Sequence, residues 1–309
     1  MHITHDIVHR TMENLYLVDL DQPVEGFRNF ISSWIFINGN CTVVIDPGPR
    51  SSIPILLNAL TTCGVKKIDY ILLTHIHIDH AGGAGLLLKH YPDAQVICHP
   101  DGIRHMINPA KLWKESRRTL GKLAEMYGEI VPVSVKNIGY RNSIEAGEIV
   151  IGALKTPGHT PHHLCYRAGD ILFTGEAAGV SYPLKNRFYL RIATPSVFKY
   201  EAYRNSLKKL ASLDVSHICF AHYGCRHDPE NVFNAAFSQA DTWLASVKKH
   251  YCPGNELPCK DIFDEILQND EGMFYYHSLP EDVQNREKFF AFNSIKGMED
   301  YLRRETDKK

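Results

Sequence analysis

Apolar runs of strand length, broken by turn formers, dominate the first third of the chain. LYLVDL (15–20), NFISSWIFI (29–37) and CTVVID (41–46) are short and rich in aromatic and β-branched residues, which predicts strands. Asn38-Gly39-Asn40 between the last two predicts a hairpin turn. DPGPR (46–50) stops the third strand, and SSIPILLNALTTCG (51–64) then has helical spacing with Gly64 as its C-cap. IDYILLT (68–74) is apolar almost throughout, as suits a strand covered on both faces in a layered α/β protein. AGGAGLLLKHYP (81–92) predicts a helix ended by Pro92, AQVICHP (94–100) a strand, and residues 101–127 helix. VPVSVKNI, EIVIGALKT, HLCYRAG and DILFTG make a strand-rich stretch, followed by an amphipathic helix from Glu201 to Leu213 and a buried strand, SHICFAH (216–222). Beyond about residue 228 the pattern turns helical: 229–250, 260–269 and 293–304, around a CPGNELPC loop (252–259). In the last helix Ile295, Met298 and Leu302 share a face, and Asn293 or Ser294 can cap its start.

At 309 residues and 44% hydrophobic content, the chain can build one large domain with an appendage. The expected division is 1–228 and 229–309. Lys+Arg (34) nearly balances Asp+Glu (35), giving a net charge of −1 and no global electrostatic case for nucleic acid or an anionic membrane. MHITHDIVHRTMENLYLVDLDQ has no apolar core or small-residue cleavage site, so it does not read as a signal peptide, and no apolar run approaches a membrane span. The eight cysteines form no CxxC pair and several sit in strand-like runs, which reads as buried free thiols in a reducing compartment. A cytoplasmic location is the resulting expectation. No GxSxG elbow or P-loop offers a competing chemistry.

Seventeen histidines change the picture only through their placement. Thr74-His75-Ile76-His77-Ile78-Asp79-His80 packs three imidazoles and a carboxylate between a buried strand and a helix. Residues two apart in an extended chain point the same way, so His75 and His77 can grip one metal while Asp79 and His80 face a second. Neutral imidazole and carboxylate suit Zn, Fe(II) or Mn(II). A short segment cannot encircle two ions, so further ligands must come from other strand ends. His159 in TPGHT, Glu176 after DILFTG and His222 at the end of SHICFAH are such residues.

This set of HxHxDH, a TPGHT histidine, a TG-acid and a late histidine resembles the metallo-β-lactamase superfamily over roughly residues 15–228. The resemblance implies a four-layer αββα sandwich with metals at one edge and a C-terminal helical appendage. It implies that His75, His77 and His159 hold the first metal and that Asp79, His80 and His222 hold the second. Glu176 stands where the family usually has a bridging Asp, a departure that leaves open bridging, ligation of one ion only, or a different metal. Asp46 matches the family's acidic residue beneath the first histidines, where it would orient a ligand imidazole. His163 is expected behind the ligands or in the pocket wall. His162 occupies a position that is commonly glycine and is assigned no role.

Two divalent ions, Zn foremost with Fe or Mn as alternatives, would lower the pKa of a shared water and polarise the bond under attack, with Asp79 orienting the nucleophile and taking a proton. The expected substrate is a small molecule with an ester, thioester or lactone bond, with no nucleic-acid or membrane partner. Tyr182, Tyr189 and Tyr223 are candidate pocket residues, as are Phe188 and Trp113. The helices after 229 resemble those of glyoxalase II and of quinolone-signal response thioesterases, which wall the active-site entrance. They could equally serve stability or a homodimer. The alternatives are an iron-dependent oxidoreductase of the same fold, as in flavodiiron proteins or persulfide dioxygenases, and a phosphodiesterase or nuclease.

Overall fold

The structure, a computed structural model, describes residues 7–185 and 187–307. His2 and His5, and the start of the segment read for a leader, lie outside the described residues.

A first sheet is built from β1 (Val8–Met12), β2 (Leu15–Asp19), β3 (Ser32–Asn38), β4 (Cys41–Ile45), β5 (Tyr70–Leu72), β6 (Gln95–Ile97) and β7 (Ile138–Gly139), in that spatial order. β1 to β4 run antiparallel, and the expected hairpin turn narrows to Gly39-Asn40, with Asn38 paired to Cys41. β4, β5 and β6 are parallel, so each connection crosses over through helix: α1 (Ile53–Thr62), then α2 (Ile78–Ala81) and α3 (Ala84–His90). Helices α4 (Pro100–Ile107), α5 (Ala110–Leu120) and α6 (Lys122–Tyr127) follow. They replace the single helical stretch expected over 101–127. Pro109 and Gly121, which adopts φ +56°, interrupt it.

The second sheet holds β8 (Ser143–Ala146), β9 (Ile149–Lys155), β10 (Leu164–Ala168), β11 (Ile171–Gly175), β14 (His217–Phe220) and β15 (Cys225–Arg226), with β15 and β8 at its edges. Between β11 and β14 come a small hairpin, β12 (Val180–Ser181) with β13 (Leu190–Arg191), and helix α7 (Tyr200–Ala211). The chain ends in α8 (Pro229–His250), α9 (Cys259–Asn269) and α10 (Glu281–Thr306).

Side chains of both sheets interlock in a central layer that includes Trp34, Phe36, Leu72, Tyr166 and Phe173. A second cluster fills the space between the first sheet and α1 and α3–α6. A third packs β10, β11 and β14 against α7–α10, with Trp243, Phe263 and Ile295 at its centre. The result is the expected four-layer αββα sandwich with C-terminal helices. Among the described residues, no helix is long and apolar enough to cross a membrane.

Two readings of the pattern are corrected. VPVSVKNI is mostly irregular with a 3₁₀ turn at 135–137, because Pro132 has no N–H to offer a ladder. The last helix begins at Glu281 rather than near 293, so Asn293 and Ser294 are interior residues and cap nothing. Its first half buries Val283, Arg286, Glu287 and Ala291, a face too charged to register as an apolar stripe.

Candidate metal centre

Four strand ends meet at one edge of the sandwich. The sheets are tied together there by buried hydrogen bonds: Tyr166 Oη donates to the Leu73 and Ile97 carbonyls (2.9 and 3.1 Å), and Trp34 Nε1 donates to the Phe220 carbonyl (2.8 Å). The Leu164 N–H donates to the Thr74 carbonyl at 2.7 Å, which fixes the β9–β10 loop against the end of β5. His75 and His77 leave β5, His159 sits on the β9–β10 loop, Glu176 follows β11, and His222 follows β14.

Two ligand sets result, His75, His77, His159 and Glu176 in one and Asp79, His80 and His222 in the other, with donor atoms within 4.8 Å of one another in each. Glu176 lies between them. Its Oε2 is 2.9 Å from His159 Nε2, 3.2 Å from His75 Nε2 and 3.5 Å from His80 Nε2, while Oε1 is 3.7 Å from His222 Nε2. Asp79 Oδ2 lies 3.6 Å from His222 Nε2 and 3.8 Å from His80 Nε2. Gly175 permits this placement: it has φ +54°, and a Cβ there would come within 2.6 Å of His163 Nε2 and 2.8 Å of the Thr74 Cβ.

The outward partners of the imidazoles assign their tautomers. His159 Nδ1 reaches the Ala193 carbonyl (2.9 Å) and His222 Nδ1 the Phe30 carbonyl (3.0 Å). His80 Nδ1 meets the Asp46 carboxylate (3.1 Å). Thr74 Oγ1 donates to Asp46 (2.6 Å) and so accepts from His75 Nδ1 (3.1 Å). Carbonyls and carboxylates only accept, so each of these four Nδ1 atoms carries a proton, and in the neutral ring each Nε2 turns a lone pair inward. In their neutral forms His75, His80, His159 and His222 therefore converge lone pairs on two carboxylates. Bare acceptors this close repel one another unless a cation lies between them. The buried His80 Nε2 has no hydrogen-bond partner, as a metal-directed nitrogen would not. The residues fit one or two divalent ions.

Electrostatics agree. Burial, reinforced by neighbouring imidazoles, pushes His75 and His77 well below their ordinary range, and burial also lowers His222. Glu176 is held well below the usual carboxylate range, the effect of burial being outweighed by His159, His75 and His80. Burial would lower His80 too, but Asp79, Asp46 and Glu176 raise it well above its ordinary value. The three carboxylates around His80 therefore favour a positive charge at that point.

Asp46 is 1% exposed and also accepts from the Thr74 N–H at 2.8 Å, so one carboxylate orients both His80 and, through Thr74, His75. His163 lies behind the ligands, with its Nδ1 against Thr156 Oγ1 (2.8 Å) and its Nε2 accepting from the Glu176 N–H (3.3 Å). Asp170, the rival carboxylate, is at the far end of β11, bonded to Ser216. Asp46→Asn should lower metal affinity roughly 10- to 100-fold, because an amide can present N–H to His80 and turn its tautomer. Competition with a chromogenic chelator measures this.

The centre opens into a cleft of about 630 Å³. Leu112, Leu120 and Leu123 of the α5–α6 segment form one wall, residues 193–197 another, and Phe290 and Gly297 of α10 a third. Gly297 lets the helix sit against the loop, since a Cβ there would fall 1.8 Å from the Thr194 carbonyl. Tyr182, Tyr189 and Tyr223 are absent from the cleft lining, and so are Phe188 and Trp113. Tyr189 is 1% exposed and bonds Glu287, Tyr182 packs beside Arg286, and Tyr223 lies in the layer between the sheets. The aromatic lining comes from Phe30, Tyr127 and Phe290 instead. His162, given no role from sequence, also lines the cleft, and burial with the nearby His159 brings it down to about 4. Thr74, Phe30 and Ala193 escaped the sequence reading. Two of them act through backbone carbonyls, which any residue type supplies.

The sequence model described as "Metallo-beta-lactamase superfamily" matches residues 27–222. A metallo-beta-lactamase fold-containing protein of Sulfurisphaera tokodaii is 31% identical over 209 residues, covering 65% of this chain and 76% of that protein. A hydroxyacylglutathione hydrolase of Stenotrophomonas maltophilia is 28% identical over 145 residues, 47% of this chain but only 44% of that enzyme. Among solved structures, a metallo-beta-lactamase family protein of Thermus thermophilus superposes with a TM-score of 0.67 at 19% identity, covering 96% of this chain and 95% of that one.

Proposed function

Because the chain belongs to the metallo-beta-lactamase superfamily, we propose that it is a metal-dependent hydrolase of small acyl esters, thioesters or lactones. The convergence of unprotonated ring nitrogens on Glu176 and Asp79 at the floor of the cleft carries this reading. His75, His77 and His159 would hold one ion and Asp79, His80 and His222 the other, with Glu176 between them. Such ions supply an activated water and polarisation of the scissile carbonyl.

The protein's own groups do the rest. Asp79, in the first turn of α2, lines the cleft and stays accessible enough to accept a proton from the attacking water. The leucines of α5–α6, with Phe290, offer an apolar wall for an acyl group, and the volume suits a small molecule. Resemblance to a hydroxyacylglutathione hydrolase supports a thioester among the substrates.

The test begins with metal content per chain by elemental analysis, followed by turnover on p-nitrophenyl acyl esters, S-acyl glutathiones and lactones, with bis(p-nitrophenyl) phosphate alongside. Acyl hydrolysis at about two Zn or Mn per chain is expected. Phosphodiester cleavage without acyl hydrolysis, or one Fe per chain with dioxygen consumption, would replace the proposal with one of its alternatives.

A further inference from the structure

The hairpin that bears His222 between its strands also holds two facing cysteines. Cys219 on β14 and Cys225 on β15 are direct cross-strand partners, with Sγ atoms 3.9 Å apart. The neighbouring pair, Phe220 and Gly224, is joined by an N–H···O=C bond of 3.0 Å. Pairs alternate along an antiparallel ladder, so Cys219 and Cys225 occupy the non-hydrogen-bonded type, in which Cα atoms lie about 4.5 Å apart. That spacing is already within the disulfide range. Both thiols are free in this structure. Cys219 is buried between the sheets and Cys225 half-buried on the edge strand.

We propose that Cys219 and Cys225 are a peroxide-oxidisable dithiol whose disulfide staples edge strand β15 to β14 and closes the segment that bears His222. The more accessible Cys225 attacks one peroxide oxygen as the O–O bond breaks, becoming a sulfenic acid and releasing water from hydrogen peroxide. The Cys219 sulfur then displaces the sulfenic oxygen as a second water. Two thiols thus give up two electrons and two protons to one peroxide. The Cys219 S–H points at Cys225 and favours its thiolate, which lowers Cys225 from the ordinary thiol range, while burial raises Cys219 well above it. β15 is only two residues long and has one neighbour, so a covalent link there changes its anchoring more than at an interior strand.

The experiment treats the full-length protein with hydrogen peroxide, alkylates it under denaturing conditions and maps its peptides. The expected product links Cys219 to Cys225 with the loss of two hydrogens, reverts with dithiothreitol, and is absent from C225S. In the linked form, amide exchange over residues 220–226 should slow at least several-fold. Alkylation of both thiols after a dose that oxidises the exposed Cys252 would overturn the proposal. So would over-oxidation of Cys225 without linkage, or linkage with unchanged exchange.

Discussion

Glu176→Ala should leave the protein with about one metal equivalent fewer and lower its turnover by more than about 100-fold, the loss that even outer partners of metal ligands can cause. The carboxylate stands between the two ligand sets, within 3.5 Å of three Nε2 atoms and 3.7 Å from a fourth. Its removal leaves four inward lone pairs without their shared anionic partner. Elemental analysis and steady-state kinetics on the same preparation separate the two effects. Glu176→Gln keeps the shape and removes the charge, so it should lie near Ala in metal content. If both metals and full turnover survived in Glu176→Ala, the carboxylate would have no part in the centre. His75→Ala is the companion test, and full turnover there would end the hydrolytic reading.

The second large effect lies away from the reacting groups. Glu287 is fully buried in α10 and accepts from Arg191 Nε (2.6 Å), Tyr189 Oη (2.9 Å) and Arg286 Nε (2.9 Å). Glu287→Leu removes one side of a buried charge network and strands two guanidinium groups, which costs about 3–5 kcal/mol. At roughly 2–4 °C per kcal/mol for a chain approaching this size, the melting temperature should fall by about 6–20 °C. Burial opposes ionisation of Glu287, but Arg191 and Arg286 prevail and hold its carboxyl at about 2. A carboxyl depressed in the folded state contributes stability above its ordinary pKa near 4.5 and loses it as the pH falls toward 2. Wild-type protein should therefore lose stability across that window faster than Glu287→Gln, and thermal melts at several pH values would show it. Parallel melting curves across that range would mean that this network carries no pH-linked stability.

The fold was legible where one physical rule acted alone. β3, β4 and α1 followed from short aromatic and β-branched runs and from helical spacing, with turn residues between them. The ligand-type residues were legible because imidazoles and carboxylates recur at the ends of several strands beside a dense HxHxDH cluster. Other features were hidden where two rules compete. β8 is short and half exposed, and the start of α10 puts Arg286 and Glu287 on its buried face, so polarity masked the helical stripe. The tyrosines misled because they are aromatic and close in sequence to the ligands. Their burial answers to packing and to Glu287, whereas the cleft is walled by leucines whose helices reach it from elsewhere in the chain.

Arg286 also bears on when the centre can form. Its guanidinium donates to the Gly26 carbonyl (2.6 Å) and lies 4.2 Å from the centroid of the Phe30 ring, which in turn stacks on His222 at 4.4 Å. The loop between β2 and β3 and the last helix thus meet behind one imidazole. Synthesis runs from the first to the last, so a nascent chain holds every ligand-bearing strand well before α10 emerges to brace His222 and wall the cleft. Ion uptake and substrate selectivity should then mature at different moments in the life of a single molecule.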